Sequence, residues 1–294
     1  MADPERPARR RAESREAVEL RAIREQHPEL ADAVDMHLEL LEMQRRIQGR
    51  VPLPSFELNA SVMARHEADA RPLLRFEDIP LDPTDLRLLV RQTADTLRRF
   101  GTLEDTDYQR AQALGRDAQL VAVVGDWYRS AADHPAVAAL GAARLAPQAA
   151  GSHEDAAIAQ VLAVAMRPFL SRCAEVLQQQ AYLSLWTHSH CALCGGEPDL
   201  AVITPAAERH LICGRCGLRW KFEPLTCPYC RNSDRSRITS FATPDGQYRV
   251  YACDVCHRYL KAYDGRRATR PVLPVVDLVA TLPLDAAAMQ RGYS

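Results

Sequence analysis

The sequence predicts an α+β protein, with a helical N-terminal domain followed by two small modules built around cysteines and a short C-terminal helical segment. Every CxxC pair lies between residues 191 and 256. The chain before about residue 187 has apolar side chains at helical spacing, and after His188 the pattern changes to short extended runs. We therefore expect domains at 1–187 and 188–270, with 271–294 as a helical tail packed on the body.

The charge of the chain is balanced, with 37 Lys or Arg against 38 Asp or Glu and a net charge of −1 over 294 residues. This excludes a general attraction to phosphate or to a membrane surface. The N-terminus has arginines but no apolar run after them, so no export signal or membrane span is expected there. We expect a cytoplasmic protein, in which clustered cysteines serve as metal ligands or catalytic groups rather than disulfides.

The helical region begins with about twenty residues of mixed charge, which predict a solvated arm. Residues 29–47 and 83–100 then repeat apolar side chains at helical spacing, and Thr84 is a candidate N-cap after Pro83. The longest such segment is 152–186. Its apolar stripe comprises Ile158, Leu162, Ala165, Phe169, Cys173 and Val176.

Three residues of that long segment need separate interpretation: a candidate cap, a proline and a cysteine. Ser152 is expected to cap its start, and Pro168 to kink or split it because proline removes a helical hydrogen bond. Cys173 is the one cysteine outside the CxxC pairs. Because it lies on the apolar stripe, we interpret it as a small core residue rather than a functional thiol.

The cysteine-rich region repeats one pattern twice: a CxxC pair, a β-hairpin and a second CxxC pair. The first hairpin consists of residues 200–204 and 209–213 around the turn sequence PAAE. The second consists of residues 235–241 and 247–253 around TPDG. A hairpin brings its two ends together, so each module can gather four thiolates around one ion.

The spacing favours pairing the motifs in sequence order. It predicts one site from Cys191, Cys194, Cys213 and Cys216, and a second from Cys227, Cys230, Cys253 and Cys256. A nested and a cross-braced pairing stay open at this point. The nearby histidines are alternative ligands, namely His188, His190, His210 and His257. In the first two knuckles a glycine follows the second cysteine, whereas Arg231 and His257 stand there in the other two.

Four thiolates suit zinc or iron, and closed tetrathiolate sites often serve only to stabilise a small domain. A thioredoxin-type redox motif is disfavoured because no helix follows these CxxC pairs. Nucleotide-binding and hydrolase motifs are absent from the sequence, so no enzyme is predicted. Asp277 and Asp285 are interpreted as part of a solvated helix face.

Nucleic-acid binding is an alternative function, because residues 206–270 contain thirteen Lys or Arg against six Asp or Glu and several aromatic residues. Two divalent ions bound by eight thiolates would offset most of this positive charge. A second alternative is redox chemistry at a rubredoxin-like iron site.

The order of the motifs resembles the formate dehydrogenase accessory protein family, known as FdhE. The resemblance rests on HCALCGGEPDLAVI, RHLICGRCGLRWKFEPLTCPYC, YACDVCHRYLKAYDGR and DLVATLPLDAAAMQRGY. It covers the metal region and the tail. Trp220, Tyr259 and Lys261 match characteristic positions of the family, although the resemblance does not assign their roles.

This resemblance implies tandem rubredoxin-like or zinc-ribbon modules in which the eight paired cysteines are metal ligands. It implies a cytoplasmic maturation factor that binds the catalytic subunit of a respiratory formate dehydrogenase and is not itself a dehydrogenase. It also makes iron, besides zinc, a candidate metal. The native metal, the oligomeric state, the binding face and the step of maturation are not given by the sequence.

Overall fold

The computed structural model describes residues 13–56, 59–133, 153–178, 186–268 and 270–294. Seven helices precede the sheet in these ranges: α1 (Arg15–Gln26), α2 (Ala31–Gln48), α3 (Ala60–Asp69), α4 (Pro83–Arg99), α5 (Asp105–Leu114), α6 (Leu120–Asp133) and α7 (His153–Leu177). The strands are β1 (Pro198–Ile203), β2 (Arg209–Cys213), β3 (Arg219–Lys221), β4 (Ile238–Ala242), β5 (Tyr248–Cys253) and β6 (Tyr259–Asp264). Helices α8 (Pro274–Ala280) and α9 (Leu282–Gln290) follow. The predicted fold class is confirmed.

The N-terminal helices begin where local capping allows it. Helix α1 begins at Arg15 because the Ser14 side chain accepts a hydrogen bond from the Ala17 amide, and Leu20 is fully buried. The predicted solvated arm is therefore wrong from residue 15 onward, and residues 1–12 lie outside the described ranges. The cap of α4 is Asp82 rather than Thr84, because the Asp82 carboxylate accepts hydrogen bonds from the amides of Thr84 and Asp85, and Thr84 already lies inside the first turn.

Helix α7 runs through the centre of the helical region. It continues through Pro168, so the predicted split into two helices is wrong. The side chains on both sides of the proline are fully buried, Met166 and Phe169 among them, and this packing stabilises the helix despite the lost hydrogen bond. Cys173 is fully buried, as expected, and burial raises its pKa to about 12. Ser152 lies outside the described ranges.

One segment of α7 has the length and composition to cross a membrane. It comprises Ala156–Leu177, and 44% of its most apolar stretch is buried inside the protein. A core helix of a water-soluble domain has the same length and composition. The contacts of α7 with α2, α4 and α5 place it in the core of the helical region.

The six strands form one sheet in the order β3-β2-β1-β6-β5-β4. Each predicted hairpin is present, as β1–β2 and as β4–β5, and both are antiparallel. Each module also has a third strand that the sequence analysis missed, β3 in the first and β6 in the second. Strands β1 and β6 pair in parallel, so the two modules share a continuous sheet.

A single hydrophobic core joins the helical region to the first module. Phe169 of α7 belongs to the same buried cluster as Leu193 and Trp220. The segment after α3 also pairs with the chain before β1, since the Leu73 and Leu74 amides donate to the carbonyls of Ala192 and Leu193 at 2.9 Å. Helices and sheet are therefore stabilised together.

The interpretation of Asp277 and Asp285 as a solvated helix face is wrong. Asp277 is fully buried on α8, where it accepts hydrogen bonds from Tyr248 at 2.8 Å and from Arg270 at 2.7 Å. These partners lie on β5 and on the loop before α8. A pattern confined to the tail could not reveal them, because the compensating groups come from distant parts of the chain.

Asp285 attaches helix α9 to the sheet. It is 5% exposed and accepts hydrogen bonds from Tyr259 at 2.6 Å and from Lys261 at 2.5 Å, both on β6. The end of the chain lies beside the last cysteine knuckle, since the Ser294 amide donates to the His257 carbonyl at 2.7 Å. Two of the three positions that match the family therefore attach the C-terminal helix.

We expect Asp285→Ala to lower the free energy of unfolding by about 3–5 kcal/mol, because it leaves the Lys261 ammonium buried without its carboxylate. The measurement is denaturant unfolding of the metal-loaded protein. The double variant Lys261→Met, Asp285→Leu is the control and should recover most of the loss. A loss below about 1 kcal/mol, the value of an exposed ion pair, would contradict the burial of this pair.

Candidate metal centres

The eight paired cysteines form two clusters, grouped in sequence order. Site 1 consists of Cys191, Cys194, Cys213 and Cys216, and site 2 of Cys227, Cys230, Cys253 and Cys256. In each cluster the four sulfur atoms lie within 4.8 Å of one another. The nested and cross-braced pairings are excluded by this arrangement. That the clusters hold metal ions stays a prediction.

The spacing of the sulfur atoms fits a tetrahedral metal site. The distances from Cys191 to Cys216 and from Cys194 to Cys213 are 3.6 and 3.5 Å. Both closest pairs in site 2 are at 3.6 Å. Metal–sulfur bonds of about 2.3 Å in a tetrahedron place the sulfurs about 3.8 Å apart, whereas a disulfide requires about 2.05 Å. Zinc and iron both suit this set of donors.

All four CxxC turns have the same backbone geometry. The amide of the first cysteine donates to the carbonyl five residues later, as Cys191 does to Gly196 at 2.8 Å and Cys253 to Arg258 at 2.9 Å. The residue after the second cysteine has a left-handed conformation in every turn. The φ angles are 70° at Gly195, 76° at Gly217, 62° at Arg231 and 54° at His257.

The sequences of the third and fourth turns suggested that they differ from the first two, because no glycine follows their second cysteine. Their backbone conformation is nevertheless the same. Arg231 and His257 adopt the left-handed conformation that glycine would adopt more easily. The same backbone hydrogen bond closes the turn whichever residue stands there, as Cys213 donates to Leu218 and Cys227 to Asn232. The sequence indicated this position only where it holds glycine.

The two sites differ in exposure. All four cysteines of site 1 are buried. In site 2 the first and third cysteines are buried, whereas Cys230 is exposed and Cys256 is half-buried. We call the exposed group around them the site 2 rim, which comprises Cys230, Arg231, Val255, Cys256 and His257.

Hydrogen bonding between the thiols separates their pKa values before an ion binds. In site 2 the hydrogen bond with Cys256 lowers the pKa of Cys227 to about 5, and the same contact raises that of Cys256. In site 1 hydrogen bonds from neighbouring thiols lower the pKa of Cys194, whereas burial raises the pKa of Cys191 and Cys216. Each thiol that keeps its proton must release it when a metal ion binds.

The alternative histidine ligands lie outside both clusters, which contain only cysteines among the described residues. His188 and His190 pack around Trp186, and the His190 side chain is 2.8 Å from the carbonyl of Ala70. Burial lowers the pKa of both histidines. Trp220 donates to the His188 carbonyl at 3.0 Å, so this family-matching residue stabilises the chain that leads into site 1.

A partly buried ion pair that the sequence pattern did not predict connects the two sites. Arg258, just after Cys256, donates to both carboxylate oxygens of Glu197 at 3.0 and 2.6 Å. Its guanidinium also lies 3.6 Å from the ring centroid of Tyr229, whose hydroxyl donates to the Pro198 carbonyl. No local sequence signal pairs residues 61 positions apart. The burial of Arg215 beside site 1 was not predicted either, because it depends on contact with Trp127, which is distant in the sequence.

We expect Gly217→Ala to lower the free energy of unfolding by about 1–2 kcal/mol, the cost of a left-handed conformation for a residue with a Cβ. Steric overlap does not contribute, because an added Cβ would meet no atom within 4 Å. His257→Gly is the matched variant in site 2 and should raise the stability. Denaturant unfolding of the metal-loaded chains measures both variants. A change in the free energy of unfolding that has the same sign in both would contradict the proposed effect of the left-handed backbone.

We expect a chelator to remove metal from site 2 faster than from site 1, because water and chelator reach Cys230 and Cys256 but no sulfur of site 1. Zinc release followed with a coloured chelator should have a fast and a slow phase. Cys256→Ser should abolish the fast phase and leave the slow phase intact. If that variant lost the slow phase instead, site 2 would be the slow site and the prediction would be wrong.

Comparison with known proteins shows a likeness both in sequence and in structure. The curated Protein FdhE homolog of Pasteurella multocida (strain Pm70) is 29% identical over 105 residues. The match covers 35% of this chain and 34% of that relative, about a third of each. No protein-family model matches the chain.

The structural likeness extends over nearly the whole chain. The crystal structure of the FdhE protein from Pseudomonas aeruginosa superimposes with a TM-score of 0.61 and 20% sequence identity. It covers 95% of this chain and 92% of that chain. At this identity the likeness establishes the fold. The chain thus resembles FdhE proteins in both sequence and fold, which confirms the resemblance indicated by its four ordered CxxC motifs.

Proposed function

We propose that the protein is a cytoplasmic accessory factor for the maturation of a respiratory formate dehydrogenase. It binds the catalytic subunit of that enzyme through the sheet that carries the two tetrathiolate sites. Its own activity is recognition rather than catalysis. The likeness to FdhE proteins supports this proposal, together with two cysteine clusters whose spacing suits metal ions.

The difference in exposure between the two sites is the observation that carries the proposal. Site 1 is enclosed by the shared core, which suits a structural role. A purely structural role for site 2 would not require its ligands or an apolar residue to be exposed. Val255, between Cys253 and Cys256, is nevertheless 50% exposed. An apolar side chain next to the half-buried ligand Cys256, on the same rim as the exposed Cys230, offers a partner both contact area and a geometry that depends on the ion.

The positive charge that suggested nucleic-acid binding is largely engaged within the protein. Arg209 and Arg215 are buried. The basic residues in ion pairs are Lys221, Arg249, Arg258, Lys261, Arg266 and Arg270. Phosphate recognition requires accessible Lys or Arg, so burial and ion pairing weaken this alternative, which then depends on exposed residues such as Arg231, Arg235 and Arg237. Absence of nucleic-acid binding at low salt would dispose of it.

Redox chemistry is a second candidate function, and the exposed sulfurs of site 2 favour it. A tetrathiolate iron centre can exchange electrons with a partner when its ligands reach the surface. The discriminating measurement is the metal content of anaerobically purified protein. Iron in site 2, with the absorption of a ferric thiolate, would support redox chemistry, and colourless protein that contains only zinc would argue against it.

We expect Val255→Asp to abolish co-purification of the catalytic subunit, because a charge in the rim disfavours burial at the interface. Metal content and thermal unfolding should stay unchanged, since the side chain is exposed. Val18→Asp is the matched control, because Val18 is 52% exposed on α1. It should co-purify as the wild type does.

Formate dehydrogenase activity in a deletion strain tests the same proposal in the cell. Activity should be lost on deletion, restored by the wild type and by Val18→Asp, and not restored by Val255→Asp. Normal activity after deletion would remove the proposed function altogether. Restoration by Val255→Asp would remove the rim as the binding surface while leaving the accessory function standing.

A further inference from the structure

A buried arginine without a hydrogen-bond partner lies beside site 1. Arg215 stands inside the second CxxC turn, between Cys213 and Cys216, and is 2% exposed. Within the described ranges, no group accepts a hydrogen bond from Nε, Nη1 or Nη2 of Arg215. The arginine side chain carries a positive charge in proteins. A buried charge without compensation costs several kcal/mol.

The arginine lies between the sulfur cluster and helix α6. A Cβ built on Gly196 would lie 2.8 Å from Cδ of Arg215 and 2.9 Å from Sγ of Cys213, so the arginine stem and that sulfur are neighbours across the glycine. On its other side, the guanidinium carbon lies 4.2 Å from the ring centroid of Trp127 and 5.1 Å from that of Tyr128.

The two aromatic rings hold the guanidinium in place but do not offset its burial. A cation–π contact contributes about 0.5–2 kcal/mol, less than the several kcal/mol that burial of an ion costs. A carboxylate is also close, since Oδ2 of Asp199 is 3.0 Å from the Cβ position of Gly214. It accepts no hydrogen bond from Arg215. The charge of the arginine must therefore be offset by a longer-range interaction.

The filled cluster supplies a charge of the required sign. Four thiolates around a divalent ion carry −2, and around a trivalent ion −1. Because all four sulfurs of site 1 are buried, water cannot screen this charge as it does at the exposed sulfurs of site 2. We propose that Arg215 is the counter-charge of metal-filled site 1 and raises the affinity of that site for its ion.

The corresponding buried arginine near site 2 differs, because Arg209 donates to the carbonyls of Thr226 and Glu223. The inference rests on metal binding at site 1 and is independent of the accessory function.

The test uses the full chain loaded with ¹¹³Cd, whose nuclear resonance distinguishes the two sites. The site 2 signal is assigned by its loss in Cys256→Ser. Each site is then titrated with a competing chelator in the wild type, Arg215→Met and Arg215→Lys. Arg219→Met is the matched control, because Arg219 is a half-buried arginine of the same sheet whose guanidinium donates to the Val272 carbonyl.

Arg215→Met should weaken metal binding at site 1 by about 10–100-fold, the usual effect of removing a group that supports the ligands. Arg215→Lys keeps the charge and should lose much less, and site 2 should bind equally in all variants. Unchanged site 1 affinity in Arg215→Met would overturn the proposal. Equal weakening of both sites would do so as well, since it would indicate a general loss of structure.

Thermal unfolding separates the counter-charge from simple packing. Arg215→Met removes an uncompensated cation from the metal-free chain but a compensated one from the loaded chain. The difference in Tm between loaded and metal-free protein should therefore shrink. An equal fall of both Tm values would show that Arg215 only packs against Trp127. If the metal-free wild type has no unfolding transition, the chelator titration decides the question alone.

Discussion

The structure depends on the need to bring four sulfur atoms to one point. Metal–sulfur bonds of about 2.3 Å require two CxxC turns to converge, and a β-hairpin between them is a short connection that does this. The chain uses this solution twice and joins the two modules through the parallel pairing of β1 with β6. The ion pair of Glu197 with Arg258 connects the knuckles of different sites, so the two centres form one rigid unit.

The two modules have the same chain pattern but different surroundings, and this produces two kinds of site. The helical region covers site 1, where Leu73 and Leu74 pair with the first knuckle and Tyr128 donates to the Leu74 carbonyl. No such cover lies over Cys230 within the described part of the chain, where this sulfur is exposed. Burial suits the structural role and the counter-charge that we propose for site 1, and exposure suits the partner contact that we propose for site 2.

The sequence predicted what depends on local spacing. The hairpins, the eight cysteines in two groups and the core position of Cys173 follow from periodicity and from the length of chain between the motifs. Contacts between distant segments could not be predicted in this way. Asp277 and Asp285 look like a solvated helix face until their partners on the sheet are known, and Arg215 looks exposed until α6 is placed over it. The left-handed conformation after the second cysteine could be predicted where the residue is glycine, but not where it is Arg231 or His257.

Metal ligation by all eight paired cysteines is the central claim, and X-ray absorption at the metal edge tests it most directly. Protein purified without oxygen should contain two ions per chain, each with four sulfur neighbours at about 2.3 Å and no nitrogen or oxygen ligand. One ion per chain, mixed sulfur and nitrogen coordination, or disulfides in place of metal would contradict the account.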